Sequence, residues 1–193
     1  MHVTGVILAG GLSSRMGQDK SLLPFNDKPA IEHICEALAK ASDDLIIISN
    51  HPEKYAFLDF PVYRDLFYGK GPLSGLHAAM HYHQSDAYML AACDMPFIQP
   101  EIYKFLIEQL GEDEIIVPVY ENLKQPLAAV YSRNTLPSIE SLLQQDRLKM
   151  AFLFDLMKVK YQAIFPFTND ILEKHFFNMN HPEEYSKAKD WFK

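Results

Sequence analysis

Apolar positions along this chain fall into short continuous runs separated by longer stretches with helical spacing, the pattern of alternating strands and helices. The first run is Val3–Leu8, and it breaks into a glycine- and serine-rich loop that lasts to Lys20. Ile31, Ile34, Cys35 and Leu38 recur on one face of a helix expected over residues 31–41. Residues 45–49 (LIIIS) and Ala87–Ala92 (AYMLAA) show no polar alternation, which is the mark of strands covered on both faces. A shorter extended piece is expected at 61–64, followed by a loop with Gly69, Gly71 and Pro72 and a helix over 73–83. Pro100–Leu110 reads as a helix with proline in its first turn, where a missing N–H costs nothing. Ile115–Tyr120 and 127–131 read as two strands joined by the polar turn ENLKQP. Helices are expected near 135–145 and 150–157, a strand near 159–164 and a last helix from Pro182. Strand–helix alternation through the first 110 residues predicts βαβ units, hence an α/β fold: one doubly wound, mostly parallel sheet with helices on both faces.

Composition narrows the function. At 193 residues, with roughly 100–200 per domain, the chain predicts one compact domain over 1–193, and no linker, repeat or low-complexity segment interrupts it. Eighteen basic against 25 acidic residues give a net charge of −7, which excludes a basic stripe for nucleic acid but not a pocket with two or three cations. Cys35 and Cys93 are too few for a disulfide framework or a four-cysteine zinc site and read as small buried hydrophobes. No segment approaches the ~20 apolar residues needed to cross a bilayer, and the first apolar run is too short for a signal peptide, so a cytoplasmic protein is expected.

In open α/β sheets a ligand sits beyond the carboxyl ends of the parallel strands. The four strands expected before residue 100 end in Ala9-Gly10-Gly11, Asn50, Asp65 and Cys93-Asp94, so each delivers a glycine turn or a small polar side chain to one rim. The loop LAGGLSSRMGQDK carries the strongest signal. Gly10, Gly11 and Gly17 let backbone approach a ligand closely, and successive N–H groups in such a loop can cradle an anion. Arg15 adds a planar bidentate cation and Lys20 a point charge suited to phosphate. Neither GxGxxG nor GxxxxGK[ST] is present.

This loop resembles the signature of the molybdenum cofactor guanylyltransferase family, LAGGxSxRMGxDK. Here it stands as Leu8-Ala9-Gly10-Gly11-Leu12-Ser13-Ser14-Arg15-Met16-Gly17-Gln18-Asp19-Lys20. The similarity continues in family order through Gly71-Pro72-Leu73-Ser74-Gly75, Cys93-Asp94-Met95-Pro96-Phe97 and Gln125-Pro126-Leu127. It ends at Asn178-Met179-Asn180-His181-Pro182-Glu183-Glu184, similar to NxNTPED, with His181 in place of threonine. The resemblance implies a nucleotide-diphospho-sugar transferase-like Rossmann-type fold, nucleotide-binding to about residue 110 and acceptor-binding thereafter. It also implies transfer of GMP from GTP to the terminal phosphate of molybdopterin, with release of pyrophosphate. Gly11 favours the guanylyl branch, since relatives that use CTP tend to carry LAAG.

On that resemblance, Leu8, Ala9, Gly10 and Gly11 hold phosphates, while Arg15 and Lys20 stabilise charge on the departing pyrophosphate. Asp94 holds Mg²⁺, a cation that favours one or two carboxylates plus substrate phosphates; a cap on the following turn is its alternative role. Asn50 and Asp65 correspond to nucleotide-contact positions, and Gly71 and Gly75 to a loop near the base. Asn178 and Asn180 match paired asparagines on the acceptor side, with helix N-capping before Pro182 as the alternative. Arg147 and Lys149 read as a solvated basic pair, and His77, His81 and His83 as part of a surface helix without zinc-enzyme spacing. The partners implied are GTP, molybdopterin and proteins that deliver or receive the cofactor. Transfer from CTP or to a sugar-phosphate-type acceptor, and a non-catalytic nucleotide-binding protein, are the competing readings; Lys20 and Asp94 together argue against the last.

Overall fold

The computed structural model describes residues 1–10 and 19–191. Its main sheet contains β1 (Val3–Leu8), β4 (Asp44–Ile48), β5 (Val62–Tyr63), β6 (Ala87–Ala92), β7 (Ile115–Tyr120), β8 (Leu123–Lys124), β9 (Val130–Ser132) and β10 (Val159–Gln162). The strand order is β10-β7-β9-β6-β1-β4-β5, with β8 paired to β7 off this path. β1 runs parallel to β4 and β6, β4 to β5, and β7 to β10, whereas β9 is antiparallel to both β6 and β7. A single reversed strand thus separates two parallel groups that share one direction, and their carboxyl ends meet at one rim.

Side-chain alternation along the strands divides the core into two layers. Ile7, Ile47 and Met89 face α1 (Ala30–Leu38), α3 (Pro100–Leu110) and α6 (Asn169–His175), packing on Ile31, Ile34, Ile102, Leu106 and Leu172. Val6, Ile46 and Leu90 face α2 (Gly71–Tyr82), α4 (Leu136–Gln144) and α5 (Met150–Phe154), packing on Leu73, Leu76, Ile139, Leu142 and Leu153. Both faces are therefore covered, as a mostly parallel sheet requires. Gly5 lets α1 approach β1, because a Cβ there would lie 2.9 Å from Leu38 Cγ and 2.8 Å from Leu45 Cδ1.

A third cluster joins the ends of the chain. Leu23 and Phe25 lie on or beside the small hairpin of β2 (Pro24–Phe25) and β3 (Lys28–Pro29), and they pack with Met179 and with Ala188 of α7 (Pro182–Trp191). This contact carries the segment before α7 to the exit of the glycine loop.

The expected elements appear, several with shorter ends (α1 stops at Leu38, α5 at Phe154 and β10 at Gln162), and with three larger differences. The strand expected at 127–131 is divided: Pro126–Ala128 forms a 3-10 turn and β9 begins at Val130. The polar turn before it contains β8, which pairs back on β7 with Glu121 and Asn122 at positive φ. Helix α2 begins at Gly71 rather than residue 73 and is no surface helix, since Leu73 to Met80 are all buried. His77 is accordingly 5% exposed, and burial depresses its pKa below the usual imidazole range, an effect that the neighbouring Glu140 partly offsets. Both cysteines are free, and burial pushes each thiol up to about 12; Cys35 is the buried small hydrophobe expected, whereas Cys93 is only partly buried.

Candidate active site

Backbone hydrogen bonds fix the carboxyl rim first. Ala9 N donates to Ile48 O at 2.9 Å and Cys93 N to Leu8 O at 3.2 Å, so the exit of β1 is held between β4 and β6. Gly10 then emerges exposed, with nothing within 4 Å of where its Cβ would stand. Gly11, Arg15 and Gly17 lie outside the described residues.

The chain re-enters the rim at Asp19, and a polar network sets its course. Asp19 caps the 3-10 turn Lys20–Leu22, accepting from Ser21 N at 3.3 Å and Ser21 Oγ at 2.7 Å. Lys54 Nζ reaches its other oxygen at 2.8 Å. Burial raises the Asp19 carboxyl, but hydrogen bonds from Lys54 and Ser21 outweigh it and hold the group below the usual carboxylate range. The Tyr55 hydroxyl, 2.9 Å from Ser21 Oγ and 3.5 Å from Ala9 O, ties this turn to β1. The network aims Lys20 across the crevice.

Lys20 Nζ donates to Asn180 Oδ1 at 2.9 Å and stands 3.8 Å from Asp94 Oδ2. Asp94 stands two residues past the end of β6, and its carbonyl accepts from Met179 N at 2.9 Å, which fixes the 178–180 segment against the rim. Three sequence-selected residues, Lys20, Asp94 and Asn180, thus converge from positions up to 160 residues apart. Burial raises the Asp94 carboxyl above its ordinary pKa, a shift that the Lys20 ammonium opposes.

Asn180 does not cap α7. His181 occupies the N-cap position, and Glu184 reaches back to accept from His181 N at 2.8 Å and from Asn180 N. That is the reciprocal half of a capping box, with Glu at the third helical position. The Asn180 side chain is left to face Lys20. Asn178 donates to Phe176 O at 3.3 Å, and together with Asn180, Phe176, Tyr120 and Glu184 it lines a groove of about 750 Å³ beside this cluster.

A second polar group forms at the ends of β4 and β5. Asn50 Nδ2 donates to Asp65 Oδ2 at 3.2 Å, and Ser74 Oγ lies 3.2 Å from Asp65 Oδ1 and 2.8 Å from Phe67 O. Burial raises the Asp65 pKa, partly countered by these two hydrogen bonds. Gly71 opens α2 at φ 71°, a conformation that side-chain-bearing residues rarely adopt. Gly75, expected in a loop, is instead buried within α2. A Cβ there would lie 2.7 Å from Leu8 Cδ2, so this glycine seats the helix on the end of β1. Arg147 stacks on Phe152 at 4.3 Å, and Lys149 is an exposed residue before α5.

Sequence reasoning singled out neither Asp19 with Tyr55 nor Glu184. Asp19 was visible as the acidic residue preceding Lys20, and Glu184 as the acid two positions after Pro182. Tyr55 carried no local signal, because its role depends on a tertiary contact.

A glycine-loop exit, a lysine bridging to a strand-end aspartate and a second aspartate with a partnered asparagine thus line the carboxyl rim of the sheet. A family model described as a MobA-like NTP transferase domain matches residues 5–159. The chain belongs to that family. It is a nucleotidyltransferase, and nucleotidyltransferases of this kind work with a divalent cation. A relative in Carboxydothermus hydrogenoformans, named "Probable molybdenum cofactor guanylyltransferase", is 35% identical over 187 residues, covering 96% of this chain and 94% of the relative. One of the same name in Pelotomaculum thermopropionicum is 37% identical over 191 residues, covering 98% and 93%. Among solved structures, the molybdopterin-guanine dinucleotide biosynthesis protein A of Archaeoglobus fulgidus superposes with a TM-score of 0.84 at 22% identity, covering 97% of each chain. The nucleotidyltransferase fold expected from the sequence is the fold observed. No helix among the described residues is long and apolar enough to cross a membrane.

Proposed function

We propose that this nucleotidyltransferase moves GMP from GTP to the terminal phosphate of molybdopterin, with release of pyrophosphate. The observation that carries the reading is the Lys20 ammonium, 2.9 Å from Asn180 and 3.8 Å from Asp94. Nucleotidyl transfer asks a protein chiefly for positioning and charge stabilisation. Lys20 stands where charge develops as pyrophosphate leaves, with Arg15 as the second cation of the loop. Leu8, Ala9, Gly10 and Gly11 supply backbone to the phosphates.

Asp94 is the residue that would hold Mg²⁺, and the donor set fits: one partly exposed carboxylate suits a hard cation that takes its remaining ligands from phosphates and water. When bound, the cation neutralises charge on the nucleotide phosphates. Asn50 and Asp65, with Gly71 at the start of α2, offer acceptors to the N–H groups of guanine or to ribose hydroxyls. The half-buried Asp65 is held in place by Asn50 and Ser74 and favours a base that offers it a further N–H donor. Gly75 acts indirectly, by seating α2. Asn180 orients the attacking phosphate, and the groove lined by Asn178 and Phe176 receives the acceptor. The division into a nucleotide side to about residue 110 and an acceptor side after it follows from this assignment. The proposal includes a cytoplasmic location, where GTP is made, and transient contact with proteins that deliver or receive the cofactor.

Pyrophosphate release measured with each of four nucleoside triphosphates, with and without molybdopterin and Mg²⁺, tests the reading. Release should require GTP, molybdopterin and the cation together. Release driven by CTP would move the enzyme to the cytidylyl branch, and release with a sugar phosphate but not molybdopterin would reject the acceptor.

A further inference from the structure

The rim opposite the active site carries a cluster that nucleotidyl transfer does not use. His2 precedes β1, Asp44 opens β4 and His83 caps the carboxyl end of α2. Asp44 Oδ2 accepts from His2 Nε2 at 2.6 Å and from His83 Nε2 at 2.9 Å. One donor atom from each residue lies within 4.8 Å of the others, the one such group of three among the described residues. We propose that His2, Asp44 and His83 form a binding site for a borderline divalent transition-metal cation of the Zn²⁺ class, separate from the Mg²⁺-dependent site at the other end of the sheet.

The donor set argues for that class. Two imidazoles and one carboxylate suit zinc, whereas Mg²⁺ takes oxygen ligands. Tetrahedral zinc with bonds of ~2.0–2.1 Å holds its ligand atoms ~3.3 Å apart. The present separations of 2.6 and 2.9 Å therefore need to open by about 0.4–0.7 Å, with the two imidazole nitrogens, within 4.8 Å of each other, settling to the same spacing. Both histidines are partly exposed and can make that adjustment. A depression of about 290 Å³ beside Asp44 and His83 leaves room for a water as fourth ligand.

The scaffold holds the ligands in place. His2 N donates to Asp86 Oδ2 at 2.6 Å, and Asp86 N returns a bond to His2 O at 2.9 Å. His83 N bonds Ala79 O at 3.0 Å, and Tyr88 donates to His83 O at 2.6 Å. Cation binding at Nε2 shifts the His2 proton to Nδ1, which faces Asp43 Oδ2 at 3.7 Å. Asp43 is itself pinned by Val3 N at 2.8 Å. Carboxylate, histidine and metal in line is the arrangement that orients a ligating imidazole and raises its basicity. Three carboxylates and the negative end of the α2 dipole add attraction for a cation. The bound cation would clip β1, β4 and α2 together at about 20 Å from the active-site rim, given six strand residues at ~3.3 Å each.

Calorimetric titration of ZnCl₂ into the metal-free full chain, with Mg²⁺ in excess, tests the proposal. One equivalent should bind in the wild type and in Asp94→Asn. His2→Gln and His83→Gln should each weaken binding by about 100-fold or more, since even outer-shell changes cost about 10–100-fold. Both variants should keep their circular dichroism and GTP binding. Co²⁺ in place of Zn²⁺ should give the visible bands of a four- or five-coordinate site, and Asp44→Asn should remove them. Failure of Zn²⁺ to bind the wild type, or unchanged affinity in the His2→Gln/His83→Gln double variant, overturns it.

Discussion

The ammonium of Lys20 meets Asn180, which we propose for the acceptor side, and the strand-end carboxylate of Asp94, so one side chain spans the crevice. Lys20→Ala should leave the fold intact and lower turnover by about 10²–10³-fold, the usual loss for one preorganised electrostatic donor; steady-state pyrophosphate release reads the effect. Asp94→Asn should nearly abolish turnover without lowering the melting temperature. Burial has raised the Asp94 pKa, so its ionised form is a local cost at neutral pH that asparagine removes. Thermal scans with and without Mg²⁺ and GTP should show the variant at or slightly above wild type when ligand-free, and without the ligand-induced rise. Lys20 and Asp94 were readable from sequence because each stands at a recognisable break, the end of a glycine loop and the end of a buried strand. Their partner Asn180 was readable only as a choice between helix cap and acceptor contact. Local spacing says nothing about a residue 160 positions away; the structure shows Glu184 taking the cap and the Asn180 side chain turned to Lys20.

Strands and helices that place these residues were largely visible in the apolar pattern. β1, β6, α3 and β7 fall at their expected bounds because each is a run of uniform period between clear breakers. β2 and β3 are too short to show a period, and seven-residue α6 barely completes two turns. α2 looked exposed because its histidines read as polar, although it is sandwiched between the sheet and α4. Two glycines set how closely helices approach, with different margins. At Gly5 an added methyl meets Leu38 and Leu45 from both sides, an overpacking of about 1–3 kcal/mol that exceeds the ~0.5–1 kcal/mol alanine returns in a strand. At Gly75 the contact is the mobile tip of Leu8, and helix propensity offsets about 1 kcal/mol. Urea unfolding should therefore rank Gly5→Ala clearly below wild type and Gly75→Ala close to it.

The molecule as a whole carries a buried group that couples its stability to pH. His175 Nδ1 accepts from Gln99 N at 2.9 Å, while its Nε2 has no hydrogen-bond partner among the described residues and is enclosed with the rings of Tyr103 and Phe176. Burial depresses the folded pKa to about 3. Between the unfolded value near 6.5 and that folded value, the unfolded chain binds a proton that the folded chain does not. Stability therefore falls with falling pH through this window, by about 1.4 kcal/mol per pH unit, and is unaffected above it. His175→Gln, which keeps an acceptor but does not titrate, should show a slope smaller by about that amount in urea unfolding from pH 6 to pH 4.

The fate of the α-phosphate distinguishes guanylyl transfer from every competing reaction. GTP labelled there, incubated with enzyme, molybdopterin and Mg²⁺, should transfer its label to a molybdopterin-linked product in one-to-one stoichiometry with pyrophosphate. Label left in GTP or GMP, or label entering the product from CTP in preference to GTP, would contradict the account.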